Sequence, residues 1–363
     1  MSKTVCKEDL CCGCNACVLK CPKHCIKLTD NGRSLNAIID TNRCINCKLC
    51  ERTCQISNSN SALIKLSRPI SCYEGYSKNT DINAVSSSGG FASQLSLAFT
   101  KSGGYVFGVK NDKEHLYFDC TDEPADITSF AGSKYVKVDL KDTYISIKNK
   151  LDCNERVLFF GLPCQVAGLR MFLGKEYKNL FCVDLICHGT PSYQVLVKFL
   201  QENGIKSEKG ISFRNKQSMQ ISFNGKPLIK NGIKDNYTIG FLKGLFYTEN
   251  CYHCNYSKLE RVSDITIGDS WGTKRESSNG MSLILIQTKK GVELLDTISD
   301  DFFIFERDCD DAVNYNHQLS HPSIKTKKTD SFFRNYNGNT INNLVFKCYP
   351  IDVLKQKIKK IIK

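Results

Sequence analysis

From Val157 the chain carries short, wholly apolar runs that end in turn residues and pass into helical patterns. Val157-Leu158-Phe159-Phe160 is one such run, Gly161-Leu162-Pro163-Cys164 its turn, and Gln165 to Leu173 the helix. The unit repeats as Leu180 to Ile186, the turn Cys187-His188-Gly189-Thr190-Pro191, and the helix Ser192 to Glu202. Buried strand, tight turn and helix in succession predict a right-handed parallel βαβ arrangement, with Cys164 and Cys187 just beyond the carboxyl ends of parallel strands. Upstream, Phe91, Leu95, Ala98 and Phe99 recur at helical spacing behind Ser86-Ser87-Ser88-Gly89-Gly90. Tyr135 to Val138 predicts a strand after the loop Ala131-Gly132-Ser133-Lys134-Tyr135, and Asp264 to Gly268 another before the turn Asp269-Ser270-Trp271-Gly272. The polar segment Ser57 to Pro69 reads as a linker. Ile351 to Lys363 predicts a helix with Ile351, Leu354, Ile358, Ile361 and Ile362 on one face and lysines elsewhere. A solvated helix docked on its own domain is the simpler expectation for it; an acidic partner or a membrane surface is the alternative. No apolar run approaches 18 residues, so no transmembrane segment is expected.

Length and charge sharpen this picture. At 363 residues the chain has room for two or three domains. The net charge of +13 is uneven: residues 1–60 carry nine Lys/Arg against five Asp/Glu, residues 325–363 carry ten against two, and the middle is nearly balanced. A nucleic-acid-binding role is disfavoured, because the basic excess is confined to the two ends and lacks an interleaved aromatic platform.

The chemistry is in the cysteines. Cys11, Cys14, Cys17 and Cys21 read C-x2-C-x2-C-x3-C-P, and Cys44, Cys47, Cys50 and Cys54 repeat the spacing with Gln55 in place of proline. Three thiolates two residues apart wrap one corner of a 4Fe-4S cube, while the fourth is carried to the other cube. Cys11, Cys14, Cys17 and Cys54 are therefore expected at one cluster, and Cys44, Cys47, Cys50 and Cys21 at the other. A zinc site or a disulfide framework does not need the third ligand in register. Residues 1–60 resemble bacterial two-cluster ferredoxins. Cluster assembly needs reduced thiols, so a cytoplasmic location is expected. Further on, Cys251-x2-Cys254 is by itself ambiguous between zinc, disulfide and iron-sulfur; with Cys164 and Cys187 it makes four thiolates, the number one more cluster needs. A structural zinc at Cys251 and Cys254 is the rival. Cys6, Cys12, Cys25, Cys72, Cys120, Cys153, Cys182, Cys309 and Cys348 read as small buried hydrophobes or idle thiols.

Small residues leading into a helix give backbone N–H groups access to an anion, which makes Ser86, Ser87, Ser88, Gly89 and Gly90 a candidate phosphate loop, with a simple helix-capping turn as the alternative. Ser133, Lys134 and Tyr135 add a cation and a ring. Asp269 is read either as a group that orients a cofactor or substrate or as a local turn acceptor. His188 is read as a hydrogen-bond partner of a cluster sulfur or backbone before a proton donor. No protein nucleophile or acid/base pair stands out.

Gly161-Leu162-Pro163-Cys164-Gln165, Asp184-Leu185-Ile186-Cys187-His188-Gly189, Cys251-x2-Cys254, Asp264-Ile265-Thr266-Ile267-Gly268-Asp269 and Ser87-Ser88-Gly89-Gly90 together resemble the β-subunit family of the deazaflavin coenzyme (factor 420) hydrogenases and dehydrogenases. The resemblance implies an iron-sulfur flavoprotein core in which FAD sits beside a 4Fe-4S cluster and exchanges hydride with a soluble molecule. The expected fold is thus α+β followed by α/β: a ferredoxin domain over 1–60, a mixed-sheet FAD and Fe-S core over 70–350, and a basic amphipathic helix over 351–363. The expected function is an oxidoreductase that moves electrons between clusters and a flavin, with a deazaflavin coenzyme or another small organic substrate; the alternative is a non-catalytic electron-transfer adapter. Expected partners are ferredoxin or another redox protein and a small hydride donor or acceptor, with a homo-oligomer left open.

Overall fold

The computed structural model describes residues 3–111, 115–215, 218–275 and 280–362. Met1, Ser2 and Lys363, which the expected first unit and last helix include, lie outside the described residues. The N-terminal unit is a three-stranded antiparallel sheet, order β1-β3-β2, of β1 (Lys3–Thr4), β2 (Ile26–Asp30) and β3 (Leu35–Ile39). Two five-residue helices, α1 (Ala16–Lys20) and α2 (Leu49–Thr53), pack on each other beside it. The duplicated cysteine spacing folds twice into one local form. A left-handed residue, Asn15 at φ 60° or Lys48 at φ 58°, opens the helix, and an extended cysteine, Cys21 or Cys54, closes it.

The rest is organised by an eight-stranded mixed sheet. In chain order it is built from β4 (Ser71–Ser77), α3 (Thr80–Val85), α4 (Phe91–Lys101), β5 (Tyr105–Asn111), β6 (Leu116–Thr121), α5 (Ile127–Phe130), α6 (Thr143–Asp152), β7 (Val157–Gly161), α7 (Pro163–Leu173), β8 (Leu180–Leu185) and α8 (Tyr193–Glu202). A small sheet of β9 (Ile211–Asn215), β10 (Ser218–Phe223) and β11 (Lys226–Pro227) and the helix α9 (Asn236–Leu242) intervene before β12 (Ile265–Asp269), β13 (Ser282–Ile286), α10 (Lys289–Asp296) and β14 (Phe302–Glu306) complete it. The helices α11 (Cys309–Tyr315), α12 (Lys327–Arg334), α13 (Ile341–Cys348) and α14 (Pro350–Ile362) follow. Strand order is β14-β4-β13-β12-β8-β7-β5-β6, with the four inner strands β5, β7, β8 and β12 parallel and the remainder antiparallel.

Strands buried on both faces explain the unbroken apolar runs. Val157 and Phe159 pack with α6 and α7 on one face, whereas Leu158 packs with α4 and α10 on the other. Cys12, Cys14 and Ala16 of the N-terminal unit belong to the same apolar cluster as α7, so the two units share a core. Here an added Cβ at Gly168 of α7 would meet Cys14 Cβ and Sγ at 2.8 Å. Glycine lets the cysteine loop lie directly on the helix.

Three expectations change. Tyr135 to Val138 is not a strand: it crosses as irregular chain, with Lys137 N donating to Pro191 O at 2.9 Å. Val136 and Val138 are apolar because they enter the core of the α8, α9 and α13 region, while the sheet edge is already formed by β6. Second, α14 docks on its own domain as expected, but through Val353, Asp352 and Gln356 and not through its apolar stripe, whose five residues are exposed. Third, Cys72 and Cys309 are not idle; they form a disulfide between β4 and α11, Cα–Cα 5.7 Å.

Candidate redox site

Cys11, Cys14, Cys17 and Cys54 line one small cavity, with Cys6, Cys12 and Gln55 also on its wall. Cys21, Cys44, Cys47 and Cys50 line a second, with Cys25. The structure thus brings the eight cysteines together in the crossed grouping expected from the sequence. Gly13 N donates to Cys11 Sγ and Asn46 N to Cys44 Sγ, both at 3.4 Å. Such N–H···S contacts suit thiolates. A hydrogen bond from Cys6 holds Cys54 down at about 6, with help from the Ser57 and Ile56 backbone. Burial raises Cys17, and the neighbouring Cys14, Cys11 and Cys54 thiols raise it further. Among the described residues no three His, Cys, Asp or Glu side chains converge on a point that would hold a single ion. A zinc tetrahedron needs thiolates about 3.8 Å apart; sulfurs set around a cavity suit a larger, multi-atom group.

The third group lies at the carboxyl rim of the parallel strands. Cys164 is in the first turn of α7 and Cys187 follows β8, one strand away in the sheet. Cys251 and Cys254 come to them from the loop before β12. The Cys187 thiol is pushed up by burial and then by Cys251, Cys164 and Cys254, which lie within electrostatic reach of it. Tyr256 N donates to Cys254 Sγ at 3.4 Å, and Thr248 Oγ1 lies 3.3 Å from Cys251 Sγ.

A buried ion pair fixes this constellation. Arg261 and Asp184, 1% and 0% exposed at their side chains, meet at 3.0 Å. The Arg261 guanidinium also donates to Tyr256 O at 2.6 Å and Leu185 O at 2.8 Å. It thereby ties the strand leading to Cys187 to the loop carrying Cys254. Replacing Arg261 by Met strands the Asp184 carboxylate, and urea unfolding is expected to show a loss of about 3–5 kcal/mol; a loss below about 1 kcal/mol would remove this tether from the account.

The N-terminal and core cysteines meet at a junction that sequence reasoning missed. Cys12, read as idle, is buried between Cys14 and Cys164, whose neighbouring sulfurs raise it. Cys164 is held down at about 7, chiefly by its hydrogen bond from Cys12 and then by the Lys137 charge. Gln55, 1% exposed, donates from Nε2 to Cys12 Sγ at 3.1 Å and to Cys164 O, and accepts from the Tyr256 hydroxyl. Lys137 is buried nearby, donating to Thr248 Oγ1 at 2.9 Å and Asn250 Oδ1 at 3.3 Å. Burial opposes its charge, but Cys251, Cys164, Cys12 and Cys11 more than offset that and raise its pKa. The one sequence signal for this junction was Gln55 itself, where the first repeat has proline.

A cavity of about 1370 Å³ opens beside the core group. Its wall includes Ser86, Ser87, Ser88, Gly90, Ser133, Lys134, Tyr135 and Asp269, together with Cys187 and His188. Single-ligand pockets run to roughly 300–1,000 Å³, so this one has room for a dinucleotide and a second reactant. α4 begins behind Gly90, φ 83°, without a side-chain cap, which leaves first-turn N–H groups for an anion. The buried Ser86 hydroxyl has no protein partner among the described residues. Ser133 N donates to Ser87 Oγ at 2.9 Å, joining the two small-residue loops.

Gly89 differs from the expectation. It is not on the cavity wall, and a Cβ there would meet Gly75 O at 2.1 Å and Ser282 N at 2.7 Å. It is needed for the loop to lie against β4 and β13. Asp269 accepts the turn hydrogen bond from Trp271 N through its main-chain oxygen at 3.0 Å, while Arg214 Nη1 holds its carboxylate at 2.6 Å. The His188 ring stands edge-on to His317, centroids 5.7 Å apart, and burial, then His317, pushes it down to about 4.

Residues 154–311 match the family described as the C terminus of the coenzyme F420 hydrogenase/dehydrogenase beta subunit. The matched segment spans both strand-turn-helix units and all four core cysteines, so the resemblance read from the sequence holds there. Among solved structures, a chain of the xenon-derivatized F420-reducing nickel-iron hydrogenase complex from Methanosarcina barkeri is similar at TM-score 0.50 and 16% identity, covering 74% of this chain and 98% of its own length. That likeness shows the fold. Comparison with the curated proteins gives no match.

Proposed function

We propose that the chain is an iron-sulfur flavoprotein oxidoreductase. Cys11, Cys14, Cys17 and Cys54, then Cys21, Cys44, Cys47 and Cys50, then Cys164, Cys187, Cys251 and Cys254 would each hold a 4Fe-4S cluster, and the large cavity would hold FAD. Bound there, the clusters would carry single electrons and the flavin would pair two of them with a proton, for hydride exchange with a deazaflavin coenzyme or another small organic molecule. The carrying observation is that Cys187 belongs to the core thiol group and to the cavity wall at once. The soft thiol sets, their N–H···S donors and the uncapped start of α4 fit these groups. The second cysteine group reaches the surface, with Cys47 exposed and Ile45 57% exposed, which supports electron entry there from a redox partner. The matched family supports the deazaflavin coenzyme as substrate.

Anaerobically purified protein is expected to contain about twelve iron atoms per chain and one extractable FAD, and to oxidise reduced deazaflavin coenzyme with a viologen dye as acceptor. Full cofactor content with no turnover of any small hydride donor would leave only the adapter role.

Lys134 adds a pH dependence. Burial pushes it down to about 7, and its ammonium donates to Phe130 O and Ala131 O. A phosphate beside it restores the charged form, so binding takes up a proton only above that pH. FAD affinity is expected to be level below pH 7 and to fall by up to about tenfold per pH unit above it. Lys134→Met should abolish the slope in a fluorescence titration, and an unchanged slope would place the phosphates elsewhere.

A further inference from the structure

We infer that α14 is a membrane-surface helix that seats on anionic lipid. At 3.6 residues per turn, Ile351, Leu354, Ile358, Ile361 and Ile362 occupy an arc of about 100°. They are 67%, 45%, 55%, 84% and 79% exposed. Val353, outside that arc, is buried and anchors the helix to the body of the protein. The apolar face therefore points away from the domain. Lys355 and Lys357 border the arc on its two sides, and Lys359 and Lys360 lie on the polar face. The one acid of the helix, Asp352, is engaged by Lys243 at 3.3 Å. Phe346 of α13, 40% exposed with Lys357 Nζ 5.4 Å from its ring, extends the same cationic and apolar surface.

Charge decides the occupant. A second copy would set lysine against lysine at both edges of the stripe, with no acid of the helix free to meet them. An acidic peptide would satisfy the lysines but leave five aliphatic side chains without hydrocarbon. An anionic bilayer supplies both: acyl chains for the isoleucines, and phosphates within reach of lysines whose stems extend along the apolar face. The seat is peripheral. No helix among the described residues is long and apolar enough to cross a membrane.

The full chain is tested by flotation with phosphatidylglycerol/phosphatidylcholine vesicles and with pure phosphatidylcholine, at low and high salt, alongside sedimentation velocity without lipid. The expected result is at least tenfold stronger binding to the anionic vesicles, reversed by salt. With each bordering lysine contributing about fivefold, Lys355→Gln with Lys357→Gln should weaken it by about 25-fold. Ile358→Glu with Ile361→Glu should abolish it, and both substitutions are at exposed positions, so the fold is retained. Equal binding to both vesicle types, binding that survives the isoleucine variant, retention on polyglutamate without vesicle binding, or a dimer dispersed by the isoleucine variant without vesicle binding would each overturn the assignment.

Discussion

Replacing Cys187 by alanine is expected to remove about four iron atoms per chain and leave the spectra of the two N-terminal clusters intact. Cys187 is the residue on which the core thiols and the cavity converge: it follows β8, lies within electrostatic reach of Cys164, Cys251 and Cys254, and lines the large cavity. The substitution takes away one sulfur and creates no clash in a loop that Arg261 and Asp184 still hold. Iron analysis and low-temperature spectra measure the loss directly. A second readout is flavin reduction by electrons delivered to the N-terminal unit, which should fail while dithionite still bleaches the flavin. Unchanged iron with loss of one zinc would assign Cys251 and Cys254 to a structural metal, and the core relay would be withdrawn.

Gln55→Pro restores the proline of the first repeat, so a free-standing N-terminal unit would tolerate it. In this chain it should not be neutral. The amide is buried at the junction, and its loss leaves Cys164 O and the Tyr256 hydroxyl without their partner. At about 1–3 kcal/mol for each buried group left unsatisfied, a stability loss of about 2–4 kcal/mol is expected in chemical unfolding. Both N-terminal clusters should remain, while electron delivery from them to the flavin slows at least tenfold. Wild-type stability with wild-type electron delivery would show that the two units do not communicate through this contact.

What was readable from the sequence was local. The strand-turn-helix units from Val157 to Glu202 formed as expected, because strands buried on both faces leave short apolar runs bounded by turn residues. The crossed grouping of the eight N-terminal cysteines was readable because the spacing itself imposes it. The junction was not: Gln55 meets Cys164 and Tyr256 from 109 and 201 residues away, and no period or spacing records such a pair. The ion pair of Asp269 was not legible for the same reason, since its partner Arg214 comes from another sheet. Tyr135 to Val138 was apolar because it is buried, and burial alone does not distinguish a strand from a crossing loop. For α14 the stripe was legible, but the buried residue that anchors it, Val353, lies off the stripe.

The dispersion of the core cysteines has a consequence for biosynthesis. The eight N-terminal cysteines all lie between residues 11 and 54, although their unit shares a core with α7. The core set draws on Cys164, Cys187, Cys251 and Cys254, brought together only after β7, β8 and the loop before β12 have been made and paired. Chains fold from the N-terminus as they emerge. If the three cysteine groups hold clusters, as proposed, metal loading would be staged, and a cell short of iron would accumulate chains filled at the front and empty at the centre.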